Sequence, residues 1–274
     1  MISKAVFFLT LSALLFGCIS TSSNPNDQCF LRNQRLVDDG FWVEVAHYGS
    51  EAKKTILIMP PTGGENVIDR SYAKMFCEAG YEVFILKEWS NQYEKDVELE
   101  LHQRFYERSQ KAIELVLKEV KETSQIGLLG TSVGALFSEV AASIQPRINA
   151  VFVIVGGAPI ASIIVNSDQQ AMIDLAERRR QRYGFSSKEQ YQTALSAKFK
   201  LEPMSLGDGY KNKKLGALIA LDDTTVPTAA QKNLVALWQT QTVIERNNGH
   251  FWAIVNAWLF DSDKILNFFE TSLN

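Results

Sequence analysis

Runs of apolar residues alternate along this chain with stretches of helical periodicity, and that alternation is its tightest constraint. Thr55–Pro60, Tyr81–Leu86, Ile126–Gly130, Ala150–Val155 and Leu215–Leu221 read as strands with almost no polar face. A strand of that kind is buried on both sides, as in a parallel sheet covered by helices. Phe41–Ala46 reads as an early strand and Gln241–Glu245 as the last. Among the intervening helices, one runs from about Arg70 to Ala79 and is closed by Gly80. A longer one places Ala112, Ile113, Val116, Leu117 and Val120 on one face, with Glu and Lys opposite. The expectation is an α/β chain with a mostly parallel central sheet and helices on both faces. No internal repeat is visible.

Composition narrows the function classes. Of 274 residues, 46% are hydrophobic and 22% charged, too apolar for a disordered chain, and three cysteines are too few for a disulfide scaffold. The 28 Lys and Arg are balanced by 31 Asp and Glu, so no nucleic-acid partner is expected. One stretch breaks the rhythm. Roughly 60 residues separate Val155 from Leu215, far more than a crossover helix needs. Ser167 with Gln170 and Ser186 with Glu189 have capping-box spacing, predicting helices over about Asp168–Arg182 and Ser187–Lys200. This segment, about 160–210, is read as a helical lid inserted into a single domain.

The N-terminus reads as an export signal. Lys4 precedes an apolar run too short to span a bilayer comfortably, and small or polar residues follow. Leu15-Phe16-Gly17-Cys18 resembles the lipobox of bacterial lipoproteins. That resemblance implies cleavage before Cys18, acylation of Cys18, and anchorage to a bacterial membrane on its periplasmic side or at the cell surface. Without lipidation, the same pattern is an ordinary signal peptide. Residues 1–17 are thus the signal, 18–28 a polar tether, and 29–274 the folded domain. Cys29 and Cys77 would lie in a compartment that permits disulfides; they are either a bridge or two unrelated thiols, because sequence supplies no Cα separation.

The predicted strand Ile126–Gly130 runs into Gly130-Thr131-Ser132-Val133-Gly134, and a helix-compatible stretch follows. Here the chain resembles the α/β-hydrolase superfamily, whose G-x-S-x-G turn joins a strand to a helix and lifts the serine clear of the sheet. The resemblance implies an α/β-hydrolase fold and Ser132 as nucleophile. It also implies a histidine base late in the chain. Of His47, His102 and His250, the last sits in Asn248-Gly249-His250-Phe251 after the final strand, where the family keeps its base. His47, in an early strand, and His102, in the long helix, read as structural or solvated.

The family's order places the acid between serine and histidine. Asp222-Asp223-Thr224-Thr225-Val226-Pro227 follows the strand Leu215–Leu221, and the family's usual spacing to the proline selects Asp223, with Asp222 as the alternative. Pro60-Pro61-Thr62-Gly63-Gly64 occupies the place of the oxyanion loop, so the donor amides would be those of Thr62 and Val133. Two prolines stand where His-Gly is common in the family. Trp89, in a loop that this fold turns toward its active site, is either part of the substrate pocket or a surface anchor. Glu177–Tyr183, rich in arginine, is either a contact for anionic groups or a solvated helix face. Scattered histidines and the absence of C-x-x-C argue against a metal, and no cofactor loop is present.

The resemblance implies a serine hydrolase acting on a carboxylic ester through an acyl-enzyme. A thioesterase, a peptidase or an acyltransferase would use the same residues. A binding module that kept the fold without the chemistry is the reading from another class.

Overall fold

A computed structural model describes residues 29–49, 52–89, 97–240 and 242–274. The export signal, Cys18 and the tether lie outside the described residues. Eight strands form one sheet: β1 (Leu31–Asp38), β2 (Phe41–Tyr48), β3 (Lys54–Met59), β4 (Glu82–Trp89), β5 (Gln125–Thr131), β6 (Ile148–Ile154), β7 (Lys214–Ala220) and β8 (Thr242–Arg246). Their spatial order is β1-β2-β4-β3-β5-β6-β7-β8. The β1–β2 and β2–β4 pairs are antiparallel, and every pair from β4–β3 to β7–β8 is parallel.

The apolar strands have no polar face because their alternate residues serve two different cores. Leu57, Met59, Phe84, Leu86, Leu128, Val151 and Val153 pack on one side. Ile56, Ile58, Val83, Ile85, Leu129, Phe152 and Ile154 pack on the other. The second core is covered by α1 (Val67–Glu78) and the C-terminal helix, which spans His250–Ser272. The first is covered by α2 (Leu101–Glu119), α3 (Val133–Ile144) and the lid. Ala112, Ile113, Val116 and Leu117 are all buried there, as their spacing predicted.

Several local expectations are corrected. α1 begins three residues before Arg70, where Asn66 and Asp69 form a reciprocal capping box. β4 continues through Trp89, so Trp89 ends a strand and does not sit in a loop. The apolar patterning of the sequence does not predict β1. Its sequence, LRNQRLVD, is polar because it is an edge strand with mostly exposed side chains. A two-residue turn, Asp39-Gly40, folds it onto β2. Cys29, just before β1, is bonded to Cys77 of α1 with a Cα–Cα distance of 5.7 Å.

The lid has three helices, not two: α4 (Ile160–Asn166), α5 (Gln170–Tyr183) and α6 (Lys188–Ser196). Two short 3-10 turns, Pro203–Ser205 and Gly207–Tyr210, return the chain to β7. Ser167 ends α4 instead of capping α5, and the second cap is Ser187, whose hydroxyl accepts from the Gln190 amide. α7 (Thr228–Trp238) follows β7, and α8 (His250–Ser272) closes the chain.

Candidate active site

The turn between β5 and α3 puts Ser132 at φ 54°, ψ −119°, a strained conformation that L-residues seldom adopt. The amide of Ser132 donates to the Ile154 carbonyl at 2.9 Å, which ties the turn to the neighbouring strand. The flanking glycines are demanded by close approach. A Cβ on Gly134 would lie 2.1 Å from the Met59 carbonyl oxygen, and one on Gly130 would lie 2.4 Å from Ser138 Oγ. The motif's spacing is thus a packing requirement of β3 against the start of α3.

Ser132 Oγ lies 2.9 Å from His250 Nε2, and His250 Nδ1 lies 2.8 Å from Asp223 Oδ2. A carboxylate only accepts, so Nδ1 carries the proton toward Asp223 and Nε2 is left to accept from the serine hydroxyl. Asp223 is buried and accepts further hydrogen bonds from the Thr225 and Val226 amides and from Gln231 Nε2. Asp222 is exposed; its backbone amide donates to the Asn248 carbonyl, pairing the acid turn with the loop that carries His250. The two adjacent aspartates therefore divide the work between side chain and main chain.

Thr62 and Val133 both line the cavity that Ser132 faces. Val133 opens α3, so its amide is one of the first-turn donors that lack an intrahelical acceptor. The Pro61–Gly64 turn is closed by the Gly64 amide donating to the Pro61 carbonyl at 3.1 Å, so the prolines leave a regular turn in place. The cavity, about 380 Å³, is roofed by α4 and the start of α5 and walled by Trp89, α2 and α3.

Sequence reasoning missed three residues here. His102 is buried and lines the cavity; burial, with the Arg179 charge nearby, pulls its pKa down to about 3 and keeps it neutral. Arg179 does not belong to a solvated face. It is fully buried and donates to the Val97 and Glu98 carbonyls and to Tyr191 Oη, tying α5 to the segment before α2. Asp168, between α4 and α5, accepts from Thr224 Oγ1 at 2.6 Å and Thr225 Oγ1 at 2.7 Å. That clasp joins the lid to the turn carrying Asp223. The two hydroxyls hold the Asp168 carboxyl below its usual range, and the His250 charge acts in the same direction. No local sequence pattern marks Asp168 apart from the capping-box spacing of its neighbour Ser167.

Among the described residues, no three His, Cys, Asp or Glu gather as metal ligands, and no helix is long and apolar enough to cross a membrane.

No family model matches the chain, and no curated protein matches it in sequence. Solved structures do. An esterase of Pyrococcus furiosus superposes with a TM-score of 0.64 at 13% identity, over 91% of this chain and 96% of its own. This chain has the α/β-hydrolase fold. A thioesterase domain from the curacin biosynthetic pathway is similar over 86% of this chain and 99% of its own, with a TM-score of 0.59 at 13% identity. An acylaminoacyl peptidase of Pyrococcus horikoshii matches 96% of this chain but only 43% of its own length, with a TM-score of 0.65 at 16% identity. At such identities the likeness is one of fold, and the chemistry has to be argued from the site.

Proposed function

We propose that the protein is a serine hydrolase that cleaves a carboxylic ester through an acyl-enzyme on Ser132. The observation that carries this reading is the unbroken chain of contacts from Ser132 Oγ through both nitrogens of His250 to Asp223, facing the cavity. His250 Nε2 takes the hydroxyl proton as Oγ attacks the carbonyl carbon. The Thr62 and Val133 amides bind the resulting oxyanion, and two such donors supply several kcal/mol of transition-state stabilisation. Asp223 holds the imidazole in its working tautomer and stabilises the imidazolium. His250 then gives the proton to the leaving alkoxide, and an acyl group remains on Oγ. Water attacks that ester, loses its proton to His250, and the serine is regenerated.

The same residues would serve a thioester, an amide or a non-water acyl acceptor. A carboxylic ester is taken first because esterases are among the similar structures, and the substrate series would separate it from a thioester or an amide. We also propose that the protein is exported and held at a bacterial membrane through acylated Cys18, on the lipobox pattern alone. Membrane fractionation of the wild type and Cys18→Ala tests this: release of the variant into the soluble exported fraction is expected.

A fluorophosphonate probe is expected to label the wild type and not Ser132→Ala, and p-nitrophenyl esters are expected to be hydrolysed only by the former. A folded wild type that neither reacts with the probe nor hydrolyses any ester is a binding module on a hydrolase fold.

A further inference from the structure

The cavity beside Ser132 has one wall that apolar packing does not explain. Trp89 ends β4, while His102 and Tyr106 stand one turn apart on the same face of α2, and all three line the cavity. Trp89 and Tyr106 both meet Phe137 edge-on, with ring centroids 5.8 Å and 5.0 Å away. Tyr106 and His102 both meet Phe199. The three therefore belong to one continuous aromatic band. Their polar atoms, Trp89 Nε1, His102 Nε2 and Tyr106 Oη, are all sealed from water, and none has a hydrogen-bond partner. His102 is 9% exposed and Tyr106 4%.

Buried polar atoms are nearly always partnered, and an orphaned hydroxyl is worse for the fold than the phenylalanine that lacks it. Other buried polar atoms also lack a partner, Tyr72 Oη and Tyr81 Oη among them, but Trp89, His102 and Tyr106 bring three of them to one wall of a substrate-sized cavity. Their chemistry is shared. An indole donates only, a phenol donates readily, and a neutral imidazole donates from Nε2 in one of its tautomers. Two donors, joined by a third when His102 carries its proton on Nε2, call for an acceptor oxygen. A carboxylate would lose its hydration among Leu136, Phe137 and Ile163, and an ammonium would meet donors like itself.

We propose that Trp89, His102 and Tyr106 form a subsite for a neutral oxygen (ether, carbonyl or hydroxyl) carried by the part of the substrate that fills this cavity. The inference rests on the ester-hydrolase reading and deepens it, since it names the class of ester. The oxygen of the chain that fills the cavity takes up these donors.

The test is an oxygen scan. Straight-chain p-nitrophenyl esters are compared with isosteres in which an ether oxygen replaces one methylene, position by position along the acyl chain. A parallel series places the oxygen in the alcohol of acetate esters. At least one position is expected to raise kcat/KM tenfold or more over its all-carbon isostere. In Tyr106→Phe and Trp89→Phe that ratio is expected to fall toward one, whatever the absolute rates. His102→Phe is a third variant, should either of these fail to fold. Tyr106→Phe is also expected to melt at or above the wild-type temperature; a clear drop would reveal a structural partner for the hydroxyl and count against the subsite. Hydrolysis of the all-carbon esters with no oxygen preference in either series overturns this inference alone, as does a preference that survives in all the variants. Absence of hydrolysis of any ester overturns the ester reading, and the subsite with it.

Discussion

Two histidines in this molecule are hydrogen-bonded to buried carboxylates, and only one of them also meets a serine hydroxyl. His250 Nδ1 meets Asp223 Oδ2 at 2.8 Å; His47 Nε2 meets Glu82 Oε1 at 3.0 Å. Both carboxylates are buried. The difference lies at the second ring nitrogen. For His250 it faces Ser132 Oγ, on a strained turn at the edge of an open cavity. For His47 it faces the side-chain amide of Gln34 on the neighbouring edge strand, and the ring is stacked on Phe84 with centroids 4.2 Å apart. Gln34 donates to Nδ1, as the carboxylate on Nε2 requires. A histidine–carboxylate pair is therefore not a catalytic signature. The pair becomes one when its free nitrogen is given a nucleophile and a space for substrate.

The comparison can be broken most sharply by deleting each ring. His250→Ala is expected to lower kcat/KM by about 10⁴-fold or more, with the melting temperature little changed. His47→Ala is expected to leave kcat/KM within a few-fold while stability falls by about 3 kcal/mol, because Glu82 is left as an unpaired buried carboxylate. Steady-state kinetics and thermal melts on both variants separate the two. Equal losses of activity would show that His47 supports the site.

The next arm is the acid. Asp223→Asn is expected to cost about 10³- to 10⁴-fold in kcat, since the amide permits the wrong tautomer of His250. Asp222→Asn, at an exposed side chain whose backbone makes the useful contact, is expected to change kcat less than about twofold. Reversal of that order would exchange the two assignments.

A smaller effect is expected at Asp168. Its depressed pKa keeps it ionised above the ordinary aspartate value of 3.8, throughout the range in which a histidine titrates. The clasp with Thr224 and Thr225 is thus intact at neutral pH and is lost as pH falls through the folded-state pKa. Asp168→Asn is therefore expected to loosen the lid and raise KM several-fold at neutral pH, with kcat changed less than about twofold, as steady-state kinetics would show. An unchanged KM would confine Asp168 to a structural role. At the structural pair, Gln34→Ala is expected to change stability by less than about 1 kcal/mol and activity not at all.

The legible parts of the molecule were those where one local pattern has one physical solution. β3, β5, β6 and β7 could be read because both of their faces pack against apolar cores. β1 could not, because an edge strand with mostly exposed polar side chains carries no such pattern; Asp39-Gly40 was its one available signal. α4, Ile-Ala-Ser-Ile-Ile-Val-Asn, has the composition of a short strand, and its packing against α5 and α6 within the lid makes it a helix. Arg179 and Arg180 are neighbours in one charged run, yet the first is fully buried and the second exposed. Helical phase relative to Tyr191 and Val97 separates them, and no composition rule supplies that phase.

By itself the sequence determined the sheet class, the strand–turn–helix around Ser132, and the chain order of serine, acid and histidine. The first two follow from periodicity and from steric demands over a few residues; the order of serine, acid and histidine is what the resemblance to the α/β-hydrolases implies. The resemblance selected Asp223 and His250; the tertiary structure brings their side chains to Ser132 and decides that Cys29, left open by the sequence, meets Cys77. It also decided that Trp89, His102 and Tyr106 share one wall. Such facts depend on which side chains of distant segments point at one another. Ser132 and His250 are 118 residues apart, and the packing of a whole sheet brings their side chains to 2.9 Å.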